Sequence, residues 1–587
     1  MSTNYETGAW SLDELLPAPN SPEYHQRIEA VETAVKEIES LRSELSEQID
    51  SETFLHILSQ YEQISTHMAV LSGYANLRFA EDTQNEQALA FLGKIEELGT
   101  DIQNRTLFFD LWWKSLDDAI AAQLQASARQ YQYFLTAMRL SRAHILPENE
   151  EQVINIKNAN GSQALVKIYE MLTNAYKFNL IVNGETKEIT RDELMVFVKS
   201  PDPALRAAAY QELYRVFGQD GMVLTQIYIH LVRDWFQENQ KLRQYASPIA
   251  VRNLANDIPD SAVQTLLQVC RTNAVVFQRW FKIKARWAGM EKLRRYDLYA
   301  PLSESETHYS YDRAVKLVLE CVEEFSPEVR AQAEQIFTAQ HVHSSVSAGK
   351  MGGAFCYGIT PEHLPWLLVN YNGKQNDVLT LAHELGHGIH DILAGEQNTI
   401  LTHQACLPLA ETASTFAEML VTDRLLATAN AQERQSILGS KLDDLYATIQ
   451  RQAFFAIWEQ TAHQMIQQGA SVGELTSAYL DNLREQFGDS VEISEDFKWE
   501  SIAIPHFVFA PFYVYAYAFG QLLVLSLYQR YKREGSTFVP HYLKILRYGG
   551  GASPKQILTE AGVDIDDPNF WQGGFDYIAG LLDELEQ

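Results

Sequence analysis

Apolar residues across the first ~190 positions recur at steps of three and four, the spacing that gives a helix one buried stripe. Ile28, Val31, Val35, Ile38, Leu41, Leu45 and Ile49 form one such series and predict an amphipathic helix. The period changes at FNLIV, which is followed by Asn183-Gly184 and ETKEIT. Asn-Gly supplies the positive φ that a two-residue turn needs, so this stretch predicts a β-hairpin. Ser200-Pro-Asp-Pro203 then stops and restarts a helix and marks a candidate boundary, dividing the chain into a helical domain, 1–190, and a second domain, 191–587. Helical spacing returns after it, except between about 342 and 375. There GKMGGAFCYG, PEHLP and NYNG alternate with β-prone pieces such as LPWLLVNY and predict a small sheet. The pattern as a whole predicts a mainly α fold.

Length and charge narrow the function. A chain of 587 residues exceeds what one core usually holds, so two lobes are expected. Its 76 acidic side chains against 47 basic ones, a net −29, oppose binding to a polyanion, so nucleic acid is not an expected partner. Cys270, Cys321, Cys356 and Cys406 are far apart and form no C-x-x-C pair, which fits a reducing compartment. MSTNYETGAWSLDELLP has no basic region followed by a long apolar one, so a cytoplasmic location is expected. From Ser501 to Gln529 no charged side chain occurs, yet the run contains Pro505, His506, Pro511, Gln521 and several tyrosines. That composition suits a wall lined by protein rather than a membrane span.

The candidate chemistry lies in DVLTLAHELGHGIHDILAG, with Asp377 as the expected N-cap and Gly395 as the stop. At ~100° per residue, His387 falls near 40° from His383 and Glu384 near 100°, while Val378, Leu381, Ala382, Leu385, Ile389 and Ile392 fall on the opposite side. Two imidazoles one turn apart can reach a single zinc ion, with the adjacent glutamate beside its water. Chance produces an H-E-x-x-H match in roughly a few chains per hundred at this composition, and correct helical placement makes it rarer. A third ligand must come from elsewhere. His390 occupies the position where a metzincin has glycine, which excludes that class, and His390 is read as a hydrogen-bonding neighbour rather than a ligand. In LPLAETASTFAEMLV, Pro408 opens a helical pattern that carries Glu411 and Glu418 two turns apart on one face. Both are candidate ligands, and solvated glutamates on an amphipathic helix are the alternative.

NYNGKQNDVLTLAHELGHGIH and LAETASTFAE together resemble the oligoendopeptidase F branch of the thimet oligopeptidase and neurolysin family. The likeness extends to KMGGAFCYG, YDLYAPL, IPHFVFAPFYVYAYAFG and GGGASPKQILTEAGVDI. It implies a two-lobed helical zinc peptidase with a small sheet beside the zinc helix and a deep central channel. It also implies one Zn²⁺ per chain on His383, His387 and Glu411, with Glu384 as general base. His506 and Tyr517, with Tyr513 and Tyr515 as neighbours of similar spacing, would hydrogen-bond the substrate oxygen. Gly353, Ala354 and Tyr513 would contact the peptide. Two departures stand out: Gly349-Lys350-Met351-Gly352, where relatives commonly carry arginine at the third place, and HVHSS just before it, where an acidic, aromatic segment is usual.

The expected activity is therefore hydrolysis of internal bonds in short peptides, with peptides as the expected partners and no oligomeric state implied. The alternatives are a zinc carboxypeptidase, which needs a fixed cation for the substrate carboxylate, and a non-catalytic peptide-binding protein, which has no use for Glu384 as a base.

Overall fold

The computed structural model describes residues 4–301 and 307–586. Helix accounts for 71% of it, so the mainly α expectation holds. The chain forms two compact units, each assembled from three separate stretches.

The first unit comprises Met1–Arg142, Glu306–Thr428 and Arg530–Val563. Its opening helix, Pro22–Ser40, is N-capped by Ser21, whose hydroxyl accepts from the Tyr24 N–H (3.2 Å), and has proline at its first position. Val31, Val35 and Ile38 from this helix enter a core with Phe54, Leu58, Phe109 and Trp113 of helices Ser51–Glu81 and Glu86–Ser115. The predicted stripe is longer than the helix. Leu41, Leu45 and Ile49 pack against the same core from the turns beyond Ser40.

A second core joins Trp10, Leu15 and Leu16 near the start of the chain to Val70 and Tyr74, and to Ile359, Trp366 and Leu368 some 350 residues later. The last two belong to the predicted small sheet. Strand Trp366–Leu368 is central, parallel to Val342–His343 and antiparallel to Phe355–Tyr357. Its three side chains are fully buried, which explains its unbroken apolar lettering. Phe355–Tyr357 is an edge strand.

Helix Gln375–Gly395 follows at once and ends at the predicted glycine. Its start differs from expectation: Lys374 occupies the N-cap position, and Asp377 lies three residues inside, accepting from the N–H groups of Asn372 (2.7 Å) and Lys374 (3.0 Å). A carboxylate there still satisfies free N–H groups and favours the positive end of the helix dipole.

The second unit comprises Ala143–Ser305, Ala429–Gln529 and Asp564–Gln587. It contains the predicted hairpin, Phe178–Val182 paired with Glu185–Ile189 around Asn183 (φ 56°) and Gly184 (φ 84°). It also contains the helix that restarts at Pro203, with Asp202 as its cap. Residue 190 therefore falls inside this unit. The charge-free run breaks into Glu500–Ala503, His506–Phe509 and the start of Tyr515–Glu534. Among the described residues, no helix is long and apolar enough to cross a membrane.

Candidate metal centre

The site sits in the first unit, where helix Gln375–Gly395 packs along helix Thr412–Thr428. Gly386 permits the contact. A side chain there would meet the Ala413 carbonyl oxygen at 2.5 Å and Ser414 Cα at 2.6 Å, so the backbones meet with nothing between them. This approach brings an acidic residue of one segment to the histidines of the other.

Glu411 does not lie within a continuous helix with Glu418, as the spacing alone suggests. It stands at the break between the single turn Leu407–Ala410 and the helix that begins at Thr412. The two carboxylates therefore reach opposite nitrogens of one ring: Glu411 Oε2 lies 3.3 Å from His383 Nε2, and Glu418 Oε1 lies 2.5 Å from His383 Nδ1. Glu418 acts from behind, holding the ring so that Nε2 faces forward. Ser414 Oγ donates to Glu411 Oε2 at 2.7 Å and fixes that carboxylate in turn.

Three donor atoms then form a nearly equilateral triangle. His383 Nε2 to His387 Nε2 is 3.2 Å, His383 Nε2 to Glu411 Oε2 is 3.3 Å, and His387 Nε2 to Glu411 Oε2 is 3.4 Å. Donors ~2.0–2.1 Å from a tetrahedral ion stand about 3.3 Å from one another, so the triangle has the size that such an ion requires. Among the described residues, these three form the group of His, Cys, Asp and Glu side chains able to hold a metal.

The electrostatics agree with a cation site. Burial raises the Glu411 carboxyl, but the hydrogen bond and charge of His387, with Ser414, outweigh it and bring it down to about 2. Glu384 is different: burial pushes its carboxyl above the ordinary range, against the pull of His383 and His387. A carboxylate of raised basicity beside a metal is suited to accept a proton. His390, fully enclosed and driven down to about 4 chiefly by burial, is hydrogen-bonded to the Ala410 backbone. It lies outside the donor triangle, and it ties the motif helix to the turn that presents Glu411.

The triangle opens on a cavity of about 360 Å³ lined also by Glu384, Ala354, Phe355 and Cys356. The edge strand thus faces the same space as the donor triangle, and Ala354 is one of its walls. Gly353, next to it, turns the chain at φ 80°.

Residues 196–577 match the profile of Peptidase family M3, about two thirds of the chain. The chain belongs to that family. It is a metallopeptidase, a hydrolase of peptide bonds. Residues 112–178 match the Oligopeptidase F profile. Among M3 relatives, the chain is 27% identical to the Group B oligopeptidase PepB of Streptococcus agalactiae, over 91% of this chain and 90% of that one. It is 24% identical to the Oligopeptidase PepF of Bacillus subtilis, over 98% and 87%. The fold matches the crystal structure of oligoendopeptidase-F from Enterococcus faecium (TM-score 0.70, 22% identity, 97% and 99% covered). It also matches that of a Chlamydophila abortus protein described as a peptidase (TM-score 0.88, 24% identity, 98% and 97% covered).

In the second unit His506, Tyr513 and Tyr517 cluster. The His506 ring lies 6.1 Å from Tyr513 and 6.0 Å from Tyr517, and the two tyrosine rings are 5.3 Å apart. Tyr515, which has similar spacing in the sequence, turns inward instead. It is fully buried and accepts at its hydroxyl from Asn256 Nδ2 (2.8 Å). Tyr517 is 38% exposed. Sequence reasoning missed the distinct role of Glu418, and the signal for it was only its seven-residue offset from Glu411. It also missed Asp391 and His403, which line the cavity as well.

Proposed function

We propose that the protein is a zinc endopeptidase that cleaves internal bonds of short peptides, with His383, His387 and Glu411 as ligands and Glu384 as general base. The triangle of donor atoms, with edges of 3.2 to 3.4 Å, carries this reading. Zinc held there supplies Lewis acidity, polarising a carbonyl and lowering the pKa of water towards ~7. Glu384 takes a proton from the attacking water and returns it to the departing amide nitrogen. Glu418 keeps the His383 tautomer fixed throughout, because its carboxylate accepts the Nδ1 proton. The edge strand Phe355–Tyr357, entered through Gly353 and Ala354, offers free backbone groups to an extended peptide. His506 and Tyr517, with Tyr513, are the donors we assign to the carbonyl oxygen as it gains charge, on the strength of the family resemblance and their clustering.

Endopeptidase action is favoured over trimming from the C-terminus by the cavity walls. Among the described lining residues there are three carboxylates, Glu384, Asp391 and Glu411, and no lysine or arginine to hold a terminal carboxylate. The relatives named oligopeptidase and oligoendopeptidase support the same choice. A reducing, cytoplasmic setting is part of the proposal and fits four free cysteines. Mass spectrometry of products from a mixed peptide pool, with metal analysis of the same sample, tests it. Internal cuts with one zinc per chain are expected. Stepwise C-terminal loss would mean a carboxypeptidase, and intact peptides a binding protein.

A further inference from the structure

Lys350, next to the departure at Met351, has a distinctive structural setting. The Lys350 ammonium donates to three backbone carbonyls, those of His343 (3.1 Å), Ser345 (2.7 Å) and Val369 (2.9 Å). Its three N–H bonds are thereby all used. No ion pair joins Lys350 to a carboxylate among the described residues, and burial alone lowers it, to about 8. A half-buried cation held only by carbonyl dipoles is a costly arrangement, and it stays because the dipoles converge on it. The three carbonyls belong to the end of strand Val342–His343, to the segment after it, and to the residue that follows the central strand.

The loop carrying Lys350 is held at its other polar atoms as well. The Gly349 carbonyl accepts from the Thr83 N–H (2.8 Å) and Oγ (2.9 Å), and the Met351 N–H donates to the Ala80 carbonyl (2.9 Å). Asn370 Nδ2 donates to the carbonyls of Met351 (3.1 Å) and Gly353 (2.9 Å). The outer side is different. No atom lies within 4 Å of where a side chain at Gly352 or Gly353 would begin, and the next residues, Ala354 to Cys356, line the metal cavity. The loop is thus held by hydrogen bonds at Gly349, Lys350, Met351 and Gly353, while the space beside the Cα atoms of Gly352 and Gly353, next to the edge strand, is open.

We propose that Lys350 is a positioning residue that presets the 349–353 loop and the start of the edge strand for pairing with the backbone of an extended peptide. The proposal rests on the endopeptidase reading. Without the ammonium, three carbonyls lose a shared donor and the loop loses its tie to two strands. A peptide must then order the loop as it binds, so peptide affinity falls while the metal centre, built on other segments, is untouched.

The test uses full-length protein. In a Glu384→Gln background, Lys350→Met should raise the Kd for a fluorescein-labelled extended decapeptide about tenfold with metal content unchanged. In the active enzyme it should raise KM about tenfold and leave kcat within about twofold. If Lys350→Met does not fold, Lys350→Arg serves. A planar fork cannot follow three converging carbonyls as an ammonium does, and about a threefold rise in Kd is expected. An unchanged Kd in the folded variant, or a fall in kcat at constant KM, overturns the proposal. Failure of wild-type protein to cut any peptide would sink the endopeptidase reading alone, since Kd still reports on Lys350. Absence of all peptide binding would overturn both.

Discussion

Gly386→Ala should weaken metal binding although residue 386 contributes no donor atom. The added methyl group would lie 2.5 Å from the Ala413 carbonyl oxygen and 2.6 Å from Ser414 Cα. Ordinary contact is ~3.5 Å, so the two helices must separate by about 1 Å, and no flexible side chain can give way instead. Glu411 lies two residues before Ala413 and moves with it. A donor set tolerates errors of only about ±0.2 Å, and a shift of several times that takes Glu411 Oε2 out of reach of an ion held by His383 and His387. Overpacking alone costs ~1–3 kcal/mol, seen as a modest loss of Tm in metal-free protein. The larger effect is on the metal, for which a 10–100-fold loss of affinity is expected from disturbed ligand support. Competition with a chromophoric chelator measures it, with peptide hydrolysis at saturating metal in parallel. Wild-type metal affinity in a folded Gly386→Ala variant would refute the claim that this backbone contact sets the ligand triangle.

Glu384→Gln should retain one metal per chain and lose ~10²–10⁴ in kcat, and near-normal turnover would remove Glu384 as base. Chelation should abolish activity and zinc restore it, whereas Glu411→Ala should not recover at the same zinc concentration. Tyr517→Phe should lower kcat by ~10²–10³ with normal folding, while Tyr515→Phe should keep kcat and lose ~1 kcal/mol of stability with its Asn256 bond. The reverse pattern would exchange their roles. Burial raises the fully enclosed Glu459 to about 8, against the pull of its hydrogen bond from the Phe512 N–H. The folded state therefore keeps a proton that the unfolded chain loses above ~4.3, and this group's contribution to stability declines as pH rises through that window. Glu459→Gln should raise Tm at pH 8 and less so at pH 5, and an equal change at both would contradict this.

The motif helix was legible because its chemistry repeats at helical spacing, and the hairpin because Asn183-Gly184 dictates one turn. The small sheet was legible as an interruption, since strands of two or three residues carry little pattern of their own. The roles of Glu411 and Glu418 were not separable from spacing: the break between Ala410 and Thr412 turns one side chain to each face of His383, and it depends on packing between two helices. Tyr513, Tyr515 and Tyr517 have equivalent letters. Only the Asn256 partner and full burial distinguish Tyr515, and that partner lies 259 residues away. The boundary near 190 follows local punctuation, whereas compact units follow contacts between remote stretches.

Assembly of the first unit from three stretches has a consequence for biosynthesis. His383, His387 and Glu411 are all made before the third stretch exists, yet Tyr542 Oη donates to the Thr412 carbonyl at 2.9 Å, and the Gly550 N–H donates to the Thr402 carbonyl at 2.9 Å. The backing of the segment that carries Glu411 therefore arrives roughly 130–140 residues after it, a delay on the order of seven to thirty seconds at translation rates of ~5–20 residues per second. During that interval a nascent chain carries the hydrolytic motif without the support that holds it in working order. Formation of the site is thus tied to completion of the unit rather than to synthesis of the motif itself.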